Sequence, residues 1–457
     1  MKKSICSEIL FVSFLSLILI PACGDNGGEG DGAGGGPAIT DFSAHQATIH
    51  WYQVTELSAT FTDGTGVITP GNLSITSGGS ISVTPPTTTT YTLTVTNSLG
   101  ATDTRDITVN VKAATEQRYI INDLGSLGGA TITPAAVNNL GQVVGTATLS
   151  DGRRRAFFWE NGTLVNLGTF PGYPSSQAFS INNSGQVVGT CPTGSYYPPI
   201  GPGSAGGNYP TSHAFIWKDG IMEHLGTDDI SDSHTPNCIN DGGIVVGAAQ
   251  TAWHPEVGQI WYSAVQWENG NFYTLSGGEG SSLGSGTHAI AVNSAGLVVG
   301  SGGRSSDPNG LFHAYLWEGG NLTDMNTLIP EGSPWFLREA VGVNTRGQII
   351  GNGAATGLFG AFFWEKGIIT DLGSPFPGGL SESRGINAAG AVVGRTTDGV
   401  AWRAFVWRDR WIADLNKLIP SGSGWVLEVA TSISDTGFIV GTGKRNGVDC
   451  AFFLSPE

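Results

Sequence analysis

Charged side chains are scarce in this chain. Only 13% of its 457 residues are Asp, Glu, Lys or Arg, and 21 basic residues stand against 37 acidic ones, a formal charge of −16. A surface so short of positive charge repels phosphate backbones, which disfavours nucleic-acid binding. Methionine is nearly missing, with 3 copies, and the 8 histidines and 5 cysteines form neither a His-x-x-x-His nor a Cys-x-x-Cys pair. A zinc site would need ligands drawn from distant segments, so no metal and no cofactor is expected. Long apolar runs are also wanting: Ile9 to Ile20 covers about twelve residues, too short to span a bilayer as a helix but long enough for a signal-peptide core.

Glycine is what the chain has in excess, 70 residues of it, as suits many short strands joined by tight turns. Much of that glycine recurs in one motif. A small residue, Ile or Val, Asn (once Ser), two spacers, Gly, one spacer, two branched aliphatics and Gly appear in order at Ala136, Ser180, Cys238, Ala291, Gly342, Gly385 and Ser432. Repetition at roughly 45 to 55 residues marks an architecture whose units bury their apolar faces only by stacking on neighbours.

Each copy reads as four strands. In the first, Ala136 to Asn138 turns through Asn139 and Leu140, with Gly141 free to take positive φ, into the strand Gln142 to Gly145. A second hairpin follows, Ala156-Phe157-Phe158-Trp159, the turn Glu160-Asn161-Gly162, and Leu164 to Leu167. The last copy stops at Ala451-Phe452-Phe453-Leu454 without a fourth strand, while an orphan fourth strand, Tyr119 to Leu124, precedes the first copy. Pairing these two ends would close the sheets into a ring without free edges. The expectation is therefore all-β: a seven-bladed β-propeller closed by an N-terminal strand, with an open β-solenoid as the competing arrangement.

His213-Ala214-Phe215 and His313-Ala314-Tyr315, the Asn-x-x-Gly-x-Val-Val-Gly hairpins and the Asp-Leu-Gly strands resemble the bacterial extracellular HAF repeat family over about 119–457. That resemblance implies export and a repetitive β architecture, and carries no reaction or ligand. The last copy departs most, with Ser434 for Asn and Leu454 for Trp, as a terminal unit joined across a seam would.

The remaining segments give an address. Lys2 and Lys3 precede the apolar run, and Ile20-Pro21-Ala22-Cys23 resembles a bacterial lipobox, which makes 1–22 a lipoprotein signal peptide and Cys23 the acylated first residue of the mature chain. Residues 23–36 form a Gly-rich tether with a reach of roughly 20 Å. Residues 37–112 alternate in period two, as in Tyr91 to Thr96 and Ile107 to Val111, and resemble a bacterial immunoglobulin-like module, a small β-sandwich without cysteine. The propeller fills 113–457. The predicted place is the bacterial cell envelope, at the outer membrane or cell surface, held on the membrane by lipid.

Function falls to the loops. The second turn of each repeat and the connection between repeats share one edge, and every long insertion lies there. Thr190 to Ser212 carries Tyr196, Tyr197 and Tyr209, and Gln250 to Tyr262 carries Trp253, His254, Trp261 and Tyr262. Such aromatics on a rigid scaffold suit stacking on sugar rings or anchoring a protein, although pinning their own loops is an equal use for them. Cys191 and Cys238 are the expected disulfide, between adjacent repeats, leaving Cys450 over. Trp159, Trp217, Trp267, Trp317, Trp364 and Trp407 recur at one position and read as packing between repeats. The Leu-Ile-Pro-x-Gly-Ser-x-Trp echo at 328–335 and 418–425 reads as a variant connection.

Catalysis has little to build on. Gly280-Ser281-Ser282-Leu283-Gly284 lacks the strand-to-helix setting of a nucleophile elbow, and Asp228, Asp229 and Asp232 suit a solvated loop better than a Ca²⁺ site. The reading is a non-enzymatic binding or structural scaffold for an extracellular protein or carbohydrate. A propeller glycoside hydrolase or lyase, with carboxylates meeting over the central channel, is the alternative.

Overall fold

The computed structural model describes residues 36–50, 55–83, 85, 87–112, 118–196, 210–225, 233–254, 259–275, 286–303, 311–408 and 410–457. The lipobox and residues 23–35 of the Gly-rich tether lie outside them. Among the described residues strands dominate, relieved by two short 3-10 helices, Met325–Thr327 and Leu415–Lys417.

The chain divides into two compact units. Residues 36–42, 58–80 and 91–106 belong to one, and residues 43–57, 81–90 and 107–457 to the other. The first holds the antiparallel pair Thr65–Thr69 and Leu73–Ile75, with Thr65–Thr69 also paired to Thr89–Thr96. The side chain of Asn97 closes its far turn: Oδ1 accepts from the N–H groups of Leu99 at 3.0 Å and Ala101 at 2.9 Å, while Gly100 takes a φ of 82° that other residues resist.

The second unit is built from four-stranded antiparallel blades of the propeller kind. Blade 1 runs Gly128–Val137, Val143–Leu149, Arg154–Glu160 and Thr163–Asn166, and blades 2 to 6 begin at Gln177–Ile181, His234–Ile239, His288–Val292, Trp335–Val343 and Ser381–Ile386. The last sheet, blade 7, takes three strands from the end of the chain, Trp425–Ile433, Ile439–Arg445 and Val448–Pro456, and its fourth is Tyr119–Asp123. Phe452 pairs with Asp123 and Leu454 with Ile121. The N–H of Leu124 donates to the Ala451 carbonyl at 3.1 Å, so the closure expected from the orphan strand is present.

The core lies between blades. Phe157 and Trp159 of blade 1 pack with Val440 and Phe453 of blade 7. On its other face blade 1 presents Val144 and Ala156 to Val187 and Phe215 of blade 2. The recurring tryptophans sit in these interfaces: Trp159 meets Phe453 at 5.0 Å between ring centres, Trp217 meets Phe158 at 5.6 Å and Trp407 meets Phe363 at 5.2 Å. Burying a Trp removes about 150 to 250 Å² from water, up to roughly 4 to 6 kcal/mol each as an upper bound.

Candidate functional site

A cavity of about 250 Å³ opens at the blade end that carries the tight Asn-x-x-Gly turns, lined by those turns from every blade. Its geometry follows from the asparagine of the motif. In blade 4, Asn293 Oδ1 accepts from the N–H groups of Ala295 and Leu297, both at 3.0 Å, which holds its own turn. Its Nδ2 then donates to the Asn344 carbonyl of the next blade at 3.0 Å. The same reach runs from Asn138 to Asn182, Asn182 to Asn240, Asn240 to Asn293, Asn344 to Asn387 and Asn387 to Ser434. One side chain thus caps a turn and latches two blades.

At the last junction the asparagine latch is missing. The circle is completed by a second bond, from the N–H of the next residue to a side-chain oxygen of the following blade, that also runs from Asn139 to Asn183, Asn183 to Asp241 and Ala388 to Asp435. Ser434 is too short to reach blade 1, and its Oγ accepts from the Phe438 N–H of its own turn at 3.1 Å. Across this seam Asp435 N–H donates to Asn139 Oδ1 at 2.7 Å, Asn139 Nδ2 donates to Asp435 Oδ2 at 3.2 Å and Thr436 Oγ1 donates to the Asn139 carbonyl at 3.2 Å.

The other motif residues are equally structural. A β-bulge interrupts the first strand of each blade, between Pro134 and Ala136 in blade 1 and between Ala340 and Gly342 in blade 5. Opposite it sits the final glycine of the motif: a Cβ on Gly351 would run into the Glu339 carbonyl oxygen and the Phe362 ring. The small first residue answers a similar demand, since a Cβ on Gly385 would crowd the Ser432 backbone of blade 7 at 3.2 Å.

Two carboxylates reach the mouth of the cavity, and both are tied around the ring. Asp241 accepts from Asn183 N–H and Nδ2, each at 2.8 Å, and Asp435 Oδ1 accepts from Ala388 N–H at 2.7 Å. Among the described residues no three His, Cys, Asp or Glu side chains gather as a metal site.

The opposite end of the blades is where they differ. At the start of the third strand, just before the recurring alanine, stand Arg155, His213, Ser263, His313, Gly360, Arg403 and Cys450. In blade 4, His313 Nδ1 lies 2.8 Å from Asp324 Oδ2, both side chains buried. Asp324 also caps the helix Met325–Thr327 through Asn326 N–H at 2.9 Å. Asp414 caps Leu415–Lys417 in the same way. Asn326 grips Leu337 of blade 5 and Asn416 grips Leu427 of blade 7, each amide bonding both N–H and C=O at 2.7 to 2.9 Å. The Leu-Ile-Pro echo is therefore an inter-blade crossing, as its sequence suggests. Nothing in the spacing of His313 and Asp324 announces their pairing.

Of the aromatics expected to bind, Tyr262 is described: its ring lies 5.5 Å from His288, and its carbonyl accepts from Gly286 and Thr287. Burial lowers the pKa of His288. Tyr196, Trp253, His254 and Trp261 fall on strands whose side chains at these positions lie outside the described residues, as do Tyr197 and Tyr209 altogether. So do Gly280 to Gly284 and Asp228, Asp229 and Asp232.

The expected Cys191 to Cys238 disulfide is not formed; both are free thiols. Cys191 packs between blades 1 and 2 beside Phe215, while Cys238 packs between blades 3 and 4 beside Val292. Adjacent blades gave adjacent cysteines in sequence order, but the two side chains leave through different interfaces.

No protein-family model and no curated protein matches the chain. Among solved structures it is similar to the β-propeller domain of the trilobed protease from Pyrococcus furiosus, at 9% identity and a TM-score of 0.43 over 83% of this chain and 95% of that one. An acylaminoacyl peptidase from Pyrococcus horikoshii matches at 9% identity and 0.43 over 89% and 57% of the two chains. A gluconolactonase from Xanthomonas campestris matches at 13% and 0.37 over 76% and 94%.

Proposed function

We propose that this chain is an exported lipoprotein of the bacterial cell envelope that acts as a binding scaffold. In this reading Cys23 carries the lipid, 37–112 is an immunoglobulin-like spacer, and 113–457 is a closed seven-bladed HAF-repeat propeller. It binds a protein or carbohydrate ligand on its long-loop face. Several acyl chains at about 0.8 kcal/mol per buried methylene would hold it firmly on a membrane.

The observation that carries this reading is the contrast between blade ends. Residues that repeat are committed to latching blades, and residues that vary collect on the rim from which the long insertions spring. Variation around a rigid rim is what a binding face requires. A glycan and protein array probed with the mature chain, with Tyr262→Ala as control, tests it. Binding insensitive to every rim substitution would remove the proposal. Mass spectrometry of the N-terminal peptide tests the anchor, and an unmodified Cys23 would remove it.

The His313 and Asp324 pair supports the second reading, an enzyme acting on extracellular polysaccharide, because a buried carboxylate orienting an imidazole is a recurrent general-base arrangement. Polysaccharide cleavage by the wild type that disappears in His313→Gln would favour it over the scaffold.

A further inference from the structure

In every blade the residue after the motif asparagine, or after Ser434 in the last, lines the cavity at the tight-turn end. Where that residue is Asn or Asp, its side-chain oxygen accepts the N–H of the corresponding residue one blade earlier. The bonds run from Asn139 to Asn183 and from Asn183 to Asp241, both at 2.8 Å, and from Ala388 to Asp435 and from Asp435 to Asn139, both at 2.7 Å. At three consecutive junctions the following blade offers Ser294, Thr345 or Ala388 instead, none of which carries an amide or carboxylate oxygen. Among the described residues the N–H groups of Asp241, Ser294 and Thr345 have no hydrogen-bond partner, and neither have the hydroxyls of Ser294 and Thr345.

These unmet donors form one arc of the rim, from blade 3 to blade 6. A ring that needed only to stay closed would keep Asn or Asp at each place, since every such oxygen adds a hydrogen bond between blades. The arc gives up three of those bonds side by side, and it does so inside a cavity.

The rest of the cavity says what fits there. Below the arc its wall is apolar, built from the branched aliphatics that precede the motif asparagines, such as Val292 and Val343. At its mouth Asp241 and Asp435 flank the arc, each carboxylate already accepting from N–H groups and keeping lone pairs to accept more. Two carboxylates repel an anion, and a row of N–H donors repels a cation. A neutral molecule with hydroxyls around its edge and C–H groups on its face satisfies every part: its oxygens accept from the arc, its O–H groups donate to Asp241 and Asp435, and its C–H face covers the aliphatics. At about 250 Å³ the cavity is smaller than the roughly 300 to 1,000 Å³ of pockets that hold drug-sized ligands, which limits the ligand to about one ring.

We propose that this cavity binds one neutral pyranose, as a free sugar or as the terminal residue of a glycan, with its hydroxyls on the arc between Asp241 and Ala388. The site lies at the end of the blades opposite the long-loop rim, and neither site needs the other.

Titration calorimetry of the full chain with the methyl glycosides of glucose, galactose, mannose and N-acetylglucosamine, and with oligosaccharides ending in the same residues, tests the site. One equivalent should bind with a Kd of about 1 mM or tighter. Binding of a methyl glycoside marks a free sugar as sufficient, and binding confined to the oligosaccharides marks a glycan end. Ser294→Asn combined with Thr345→Asn and Ala388→Asn supplies the three missing oxygens and should weaken that binding at least about tenfold, with a melting temperature at or above the wild type's as the check on folding. Should the triple variant fold poorly, Ala388→Asn alone, which closes the junction at the Thr345 N–H, decides the matter by weakening binding about threefold. Absence of binding by every probe, or wild-type affinity in the folded variant with the closed arc, would overturn the proposal.

Discussion

The two ends of a blade are built on opposite rules. At the tight-turn end, six asparagines repeat one hydrogen-bond pattern around the ring. At the loop end the corresponding positions hold arginine, histidine, serine, glycine and cysteine. Repetition therefore marks the residues that hold the ring together, and departure from it marks the surface free to acquire chemistry. The comparison predicts that one substitution will be costly at the first end and mild at the second.

Glycine gives the widest gap. In Gly351→Ala the new Cβ meets the Glu339 carbonyl and the Phe362 ring, and neither backbone nor buried ring can yield, so a loss of about 4 kcal/mol or more is expected. Gly357, in the loop-end turn of the same blade, has a φ of +85° and no atom within 4 Å of an added Cβ. Gly357→Ala strains only the backbone, about 1 to 2 kcal/mol. Equal losses in urea unfolding would break the contrast. Between these lies Trp159→Ala, which empties an interface against Phe453 and should cost about 3 to 4 kcal/mol. Melting curves are the check, and binding of any rim ligand should persist below the lowered melting temperature.

Most of this scaffold was legible because its signals are local. The φ values of Gly141, Asn161 and Gly162 are the ones their turn positions require, and the orphan strand at Tyr119 pairs where its likeness to later fourth strands places it. What escaped was set by register across strands and blades. The motif asparagine reads as a turn residue, yet its second role depends on a carbonyl 43 to 58 positions away. Cys191 lies in regular register on the second strand of its blade and Cys238 just past the bulge in the first strand of the next, and so the two enter different interfaces. His313 with Asp324, and Cys191 with Met222, meet through strand pairings that no spacing rule exposes.

The latch itself comes next in size. Asn293→Ala removes three hydrogen bonds and strands buried backbone groups on two blades, a cost of about 2 kcal/mol. The seam offers the reverse experiment. Ser434→Asn supplies the carboxamide that the last blade lacks, within reach of the Asn138 carbonyl if blade 7 copies its neighbours, and should gain up to about 1 kcal/mol. A destabilised Ser434→Asn would mean that the Asp435 and Asn139 pair already fills the role and excludes the longer side chain.

The smallest effect belongs to the loop end and to pH. Burial lowers the pKa of His288 below the ordinary value of 6.5, so the unfolded chain takes up a proton before the folded chain does. The stability that depends on a neutral His288 is complete above pH 6.5 and is lost as pH falls from there toward the lower folded value. Melting temperature should fall with acidification across that window, and His288→Gln should flatten the slope while leaving the Asn293 latch energy unchanged, because the two lie at opposite ends of blade 4. A slope untouched in His288→Gln would assign the titration to another group on the rim.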